Sequence, residues 1–205
     1  MIADHGLRVP SGHFDYEGMD SKLEYAKELG VDYVVCPMLP KPMGSSLDGF
    51  QKAAEQFNKW GEQAQKMGMR FAFHNHNYEF QQFGNTTGYH TLLAHTDPKL
   101  VSFEMDCYWI AQAGRDPVKM LEQHKDRISM LHLKGRKAGF PTSQQLNSDA
   151  GHFTEVGTGT IDYKKILSLA KQQGIKYMFV EQDATSIPPM ESLRISYQHL
   201  ERLIA

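Results

Sequence analysis

Four apolar runs in this chain end on side chains that bind metal ions or move protons. Phe71-Ala72-Phe73 leads into His74-Asn75-His76-Asn77-Tyr78-Glu79-Phe80, Val101-Ser102-Phe103-Glu104-Met105 ends on Asp106, Ile128-Ser129-Met130-Leu131 on His132, and Tyr177-Met178-Phe179-Val180 on Glu181. Strands that deliver such groups at their C-terminal ends, one after another, describe a site at the mouth of a parallel barrel. Asp106, His132 and Glu181, completed by His74 or Glu79, form a mixed imidazole and carboxylate set that suits a divalent ion such as Mn²⁺, Zn²⁺, Fe²⁺ or Co²⁺. With open positions, such an ion grips vicinal oxygens of a polyol or hydroxyketone and stabilises an enediolate. Taken singly, each residue has an ordinary alternative: a hydrogen-bonded structural histidine, or an aspartate that caps a helix. Four such ends in one array favour a site.

Several neighbours can assist. His76 lies two residues beyond His74, on the same strand face, as a proton carrier, a substrate ligand or a support for the ligands. Lys134, two after His132, can bind a substrate oxygen or anion, or stand as a solvated lysine. Trp109, with Tyr108 beside Asp106, either stacks on a sugar ring or packs against the barrel top. Glu155 opens Glu155-Val156-Gly157-Thr158-Gly159-Thr160-Ile161-Asp162, where backbone amides can cradle an anion. A plain tight turn is the stronger reading of those glycines.

These groups need elements to position them, and the periodicity supplies alternating strands and helices. Leu7–Phe14 is a short extended run interrupted by Pro10. Asp20 is placed as the N-cap of a helix through Lys27, with Leu23, Ala26 and Leu29 on one face and Gly30 closing it. Tyr33–Leu39 reads as a strand covered on both faces. After a Pro/Gly/Ser loop from Pro40 to Ser46, Leu47–Met67 forms a long amphipathic helix with Phe50, Ala53, Ala54, Phe57, Trp60, Gly61 and Ala64 inward, stopped by Gly68. Strands follow at 70–75, 101–106, 128–133 and 177–182. Helices are expected at Tyr89–His95, from the Asp116-Pro117 cap to His124, from Asp162 to Gln173, and over Met190–Leu203. The loop Gly135–Gly159 is long enough to suggest a function. This alternation implies a parallel sheet with helical crossovers, with six strands where a closed barrel has eight.

Composition narrows the class. The 205 residues are 40% hydrophobic, enough for one sizeable core, and the expectation is a single domain over 1–205. A formal charge of −2 and the lack of a basic patch interleaved with aromatics argue against a nucleic-acid surface. Cys36 and Cys107 sit in apolar runs and read as buried reduced thiols. No run approaches the ~18 apolar residues of a membrane span, and Met1–Gly6 does not resemble a signal peptide. A cytoplasmic location is the resulting expectation.

The segments His74–Phe80, Met105-Asp106-Cys107-Tyr108-Trp109, Leu131-His132-Leu133-Lys134, Glu155–Asp162 and Val180-Glu181-Gln182-Asp183 together resemble the xylose isomerase-like TIM-barrel superfamily, in its sugar phosphate isomerase/epimerase branch. The resemblance covers nearly the whole chain and implies a (β/α)₈ barrel of that type without its first two strands, Leu7–Phe14 taking the third strand's place. It implies a divalent metal, often Mn²⁺, held among Glu, Asp, His and Glu, with Asp106, His132 and Glu181 in the last three roles. The first role falls at His74, where the family more often has Glu, or at Glu79. Glu181, His76 and His74 are then the proton-transfer candidates, and Lys134, Trp109 and Glu155 the substrate-binding ones. The implied activity is isomerisation or epimerisation of a sugar or keto-sugar. The alternatives are dehydration or lysis of a keto-inositol or keto-glycoside, and an inactive barrel. A small-molecule substrate is expected, a homo-oligomer is allowed, and no membrane or nucleic-acid partner is expected.

Overall fold

The structure is a computed structural model that describes residues 3–146 and 150–204. They gather into two compact units, one of the residues up to Asn75 with Gln82–Glu104, the other of His76–Gln81 with the residues from Met105 onward. The first unit runs β1 (Ser11–His13), α1 (Met19–Leu29), β2 (Tyr33–Cys36), α2 (Leu47–Lys66), β3 (Arg70–His74), a short antiparallel pair β4 (Gln82–Phe83) and β5 (Thr86–Thr87), α3 (Gly88–His95) and most of β6 (Val101–Asp106). The second unit takes the end of β6 and continues through α4 (Cys107–Gln112), α5 (Pro117–Gln123), β7 (Ile128–Leu133), β8 (Gly135–Arg136), β9 (Phe153–Thr154), α6 (Tyr163–Gln172), β10 (Tyr177–Val180) and α7 (Pro189–Ile204). Within the first unit the parallel strands follow the order β1-β2-β3-β6, and within the second β7 pairs in parallel with β10. Among the described residues this is the expected α/β alternation, with six strands of the barrel type.

In the first unit β1 pairs with β2, β2 with β3, and β3 with β6, all parallel, and His74 stands opposite Glu104. The pleat sends alternate residues to opposite faces. Phe71 and Phe73 of β3 turn to α2, where the Phe57 ring lies 5.2 Å and 5.1 Å from theirs. The inward face of α2 is the one that its spacing predicts, and the Ser46 hydroxyl caps its start by accepting from the Gly49 N–H at 3.1 Å. Each fully buried phenylalanine contributes about 1.5–3 kcal/mol.

Several local expectations change. Asp20 does not cap α1: Gly18 takes the N-cap position, and the Asp20 carboxylate instead accepts from the Trp60 indole N–H at 3.1 Å. Leu29, expected in the core, is 48% exposed because α1 continues past Lys27 and carries it beyond the packed face. The strands expected to reach Leu39 and Gln182 end at Cys36 and Val180. A helix that periodicity missed, α4, begins directly after Asp106. The loop Gly135–Gly159 contains the antiparallel pair β8–β9, and its residues 147–149 lie outside the described ones. Asp116 and Asp162 cap α5 and α6 as their positions suggest. Cys36 and Cys107 are buried and free, and burial pushes the Cys36 thiol up to about 12, so it stays protonated.

Gly61 shows where packing overrides propensity. A Cβ there would lie 2.5 Å from the Leu100 carbonyl oxygen and 2.9 Å from the Leu100 Cβ. Alanine gains about 1 kcal/mol of helix propensity over glycine, but overpacking against fixed backbone costs about 1–3 kcal/mol. Gly61→Ala is therefore expected to lower stability by up to about 2 kcal/mol in urea denaturation; a rise would show that α2 moves away from Leu100 at no cost.

Candidate active site

The second unit brings Asp106, His132, Lys134, Glu181 and Asp183 together. The Asp106 carboxylate divides its work. Oδ1 accepts from the Trp109 backbone N–H at 2.9 Å and so caps α4, while Oδ2 lies 3.2 Å from the Lys134 ammonium and 3.9 Å from His132 Nδ1. The capping role and the site role are thus filled by the same residue. His132 Nδ1 is 2.6 Å from Glu181 Oε2. Lys134 Nζ is 2.8 Å from that same oxygen and donates to both oxygens of Asp183 at 2.9 and 3.2 Å. The Lys134 backbone is fixed as tightly: its N–H donates to the Tyr163 hydroxyl at 2.9 Å, and that hydroxyl donates to the Lys134 carbonyl at 2.6 Å.

Burial sets the electrostatics. Lys134 is 2% exposed, so the solvated-lysine alternative does not hold. Burial alone depresses an ammonium, but Asp106, Glu181 and Asp183 outweigh it and hold Lys134 protonated, well above its ordinary range. Burial raises the Glu181 carboxyl, yet the His132 hydrogen bond and the Lys134 charge win and hold it far below the usual carboxylate range. Asp183 is raised, chiefly by burial. One ammonium is set against the three carboxyl groups of Asp106, Glu181 and Asp183.

Three carboxylates and an imidazole about one ammonium make a donor set that matches a divalent cation. Asp106, His132 and Glu181 each offer one ligand atom within 4.8 Å of the others. The donors are the borderline to hard kind that Zn²⁺ and Mn²⁺ accept, so the residues fit the group. The Lys134 ammonium already contacts two of these three residues, and an ion would share Asp106 and Glu181 with it.

The other expected residues fall as follows. His74 belongs to the first unit, where Nδ1 lies 3.2 Å from Glu104 Oε2. Glu79 is fully buried, and both its oxygens accept from the His76 backbone N–H at 3.2 and 3.0 Å. The His76 ring stands 5.2 Å from that of Trp109, whose ring lies 5.8 Å from Lys134 Nζ. Trp109 is 6% exposed and packs with Tyr108 and Phe153, the last two stacked at 4.3 Å. Its indole N–H has no hydrogen-bond partner among the described residues. The segment after Glu155 is a tight turn, closed by the Thr158 N–H on the Glu155 carbonyl at 3.0 Å. The Glu155 carboxylate accepts from the Thr154 and Thr185 hydroxyls, each at 3.3 Å.

Sequence reading missed Asp183, Tyr163 and Asn77. Asp183 was visible as the residue two after Glu181, the same spacing that marks His76 and Lys134. Asn77 donates its amide to the carbonyls of Ser143 and Gln145 at 2.9 and 2.8 Å, and Arg136 binds those of Phe140 and Pro141 at 2.9 and 3.0 Å. Together they pin the start of the long loop, a result of tertiary contact that no local pattern signals.

The chain is similar to known proteins. The chain is 28% identical over 165 residues to the inosose dehydratase of Lactiplantibacillus plantarum, a match covering 75% of this chain and 54% of the relative. It spans about half the length of the curated relatives it matches. Among solved structures, a sugar phosphate isomerase/epimerase from Parabacteroides distasonis superposes with a TM-score of 0.79 at 27% identity, covering 97% of this chain and 72% of that one. The IolI protein, solved with a bound zinc atom, shares the fold at 16% identity, with a TM-score of 0.73 over 99% of this chain and 80% of its own. A family profile matches residues 12–203, nearly the full length on which the parallel strands lie, and the chain accordingly belongs to the xylose isomerase-like TIM barrel family.

Proposed function

We propose that this chain carries the metal-binding and proton-transfer site of an enzyme that removes a proton next to the carbonyl of a keto-polyol and then expels water. The single observation behind this reading is the Lys134 ammonium held against Asp106 and Glu181, the latter also bound to His132. Asp106, His132 and Glu181 would hold a divalent ion, with Mn²⁺ or Zn²⁺ the first choices. When bound, the ion polarises the carbonyl and makes the adjacent C–H more acidic. Glu181 is anionic throughout the neutral range and partly exposed, with 43% of its side chain accessible, so it can reach substrate as the base. Lys134 is protonated and can donate a hydrogen bond to the oxygen on which charge grows or to the hydroxyl that leaves. The unpartnered Trp109 N–H, beside Lys134, would bind a further substrate hydroxyl.

Dehydration is favoured by the curated relatives, which include inosose dehydratases from several bacteria. Epimerisation or isomerisation of a keto-sugar is the second reading, supported by the likeness to the Parabacteroides distasonis sugar phosphate isomerase/epimerase. Both begin with the same proton abstraction. A base on Glu181 with a cationic donor on Lys134 suits elimination, where a proton and a hydroxide leave one substrate.

Four outcomes are expected. Incubated with Mn²⁺ and a panel of keto-inositols and keto-sugars, the chain should yield a product lighter by one water, seen by mass spectrometry; an isomer of equal mass would select the second reading. Mn²⁺ at a hundredfold its Kd should raise the stability of the chelated protein by about 2.7 kcal/mol. Asp106→Asn, which keeps a capping oxygen for α4, and His132→Ala should each abolish that gain. Retention of wild-type metal affinity by both would refute the site. Trp109→Phe should keep the fold and raise KM several-fold, with kcat less affected. Burial raises the Glu79 carboxyl from its ordinary 4.5 to about 8. Between these values the unfolded chain is ionised while the folded one holds the proton, so stability should fall as pH rises through that window and level off above it. In metal-free protein Glu79→Gln should flatten that slope; an unchanged slope would assign it to another group.

A further inference from the structure

We infer that the first unit holds a second divalent-metal site, built from His13, His74 and Glu104. The inference goes beyond the proposed activity and does not require it. His13 ends β1, His74 ends β3, and Glu104 lies near the end of β6, so three parallel strands contribute one ligand each. His13 Nε2 lies 2.6 Å from Glu104 Oε2, and His74 Nδ1 lies 3.2 Å from that same oxygen. The two rings stand 5.0 Å apart and tilted by 55°, both turning a nitrogen to the carboxylate. In a tetrahedral zinc site, ligand atoms about 2.0–2.1 Å from the ion sit roughly 3.3 Å from one another, so these separations need only a small expansion to admit one.

The fold explains why these groups converge. His74 and Glu104 are register partners in the β3–β6 ladder and therefore share a face. The residue before each, Phe73 and Phe103, turns to the other face and packs there, with Phe73 against Phe57 of α2. The pleat thus separates an apolar face from a face bearing a carboxylate and imidazoles. The Glu104 side chain is wholly inaccessible, and a buried carboxylate is costly unless it is paired with charge or bound to a metal. The His13 side chain is one-third exposed, which gives an ion a way in. Two imidazoles with one carboxylate favour Zn²⁺, Co²⁺ or Fe²⁺ over Mg²⁺ or Ca²⁺.

Equilibrium dialysis of the full chain against Zn²⁺ after chelation, with metal and protein quantified together, tests this site separately from the one at Asp106, His132 and Glu181. The expected wild-type content is close to two ions per chain. His13→Asn, at an accessible position, and Glu104→Gln, equal in size, should each lower it to one. Asp106→Asn should also lower it to one, and the His13→Asn/Asp106→Asn double variant should hold none. Circular dichroism confirms folding of each variant, and His13→Asn decides alone if Glu104→Gln unfolds. A wild-type content of one that His13→Asn leaves intact would overturn the second site and spare the proposed active site. A content of one that His13→Asn removes and Asp106→Asn spares would support the second site and sink the other. A content of zero, or a single ion lost in both variants, would overturn the inference of a separate site.

Discussion

A lysine ammonium enclosed by carboxylates sets the conditions for the second unit. Removing Lys134 from water costs several kcal/mol unless the surrounding groups compensate. Asp106, Glu181 and Asp183 do so, and each is held by a different piece of structure: the end of β6, the residue just past β10, and the loop beyond it. The compensation is mutual, because the His132 hydrogen bond and the Lys134 ammonium together outweigh burial and hold the Glu181 carboxyl below the usual carboxylate range. The cluster is therefore a constraint on folding and fixes the charge that Glu181 carries.

Asp106 shows how closely structural and chemical demands can be combined. One oxygen ends the strand and starts α4, and the other faces the charged cluster. The carboxylate is locked by a backbone hydrogen bond before any ligand arrives. Such preorganisation lets a site act without paying for rearrangement at the moment of reaction.

Much of this was legible in the sequence because strand and helix periods are strong signals. The inward face of α2 is the one its spacing predicts, the Asp116-Pro117 start of α5 is in place, and the strand ends carrying Asp106, His132 and Glu181 converge in the second unit. The misses have local causes. Asp20 looked like a cap, but Gly18 reached the left-handed conformation and released Asp20 to the Trp60 indole. Helix α4 is six residues long and buried on most sides, so it offered no amphipathic period. Glu104 stood inside a run read as a strand that ended on Asp106, although the two-residue spacing places both on one face. Lys134 looked solvated because sequence alone does not show that Asp183 and Glu181 come back to meet it.

The Tyr163 hydroxyl has a consequence for the sheet itself. A neighbouring strand binds a residue through its N–H and its carbonyl, and at Lys134 one side chain from α6 already occupies both. The chain pairs with β10 up to Leu133 and with β9 from Gly135, and Lys134 lies between the two. The hydroxyl is a stop for the ladder, supplied from 29 positions further along the sequence. It satisfies both backbone groups of Lys134, so that a phenol stands in for a rung at that residue.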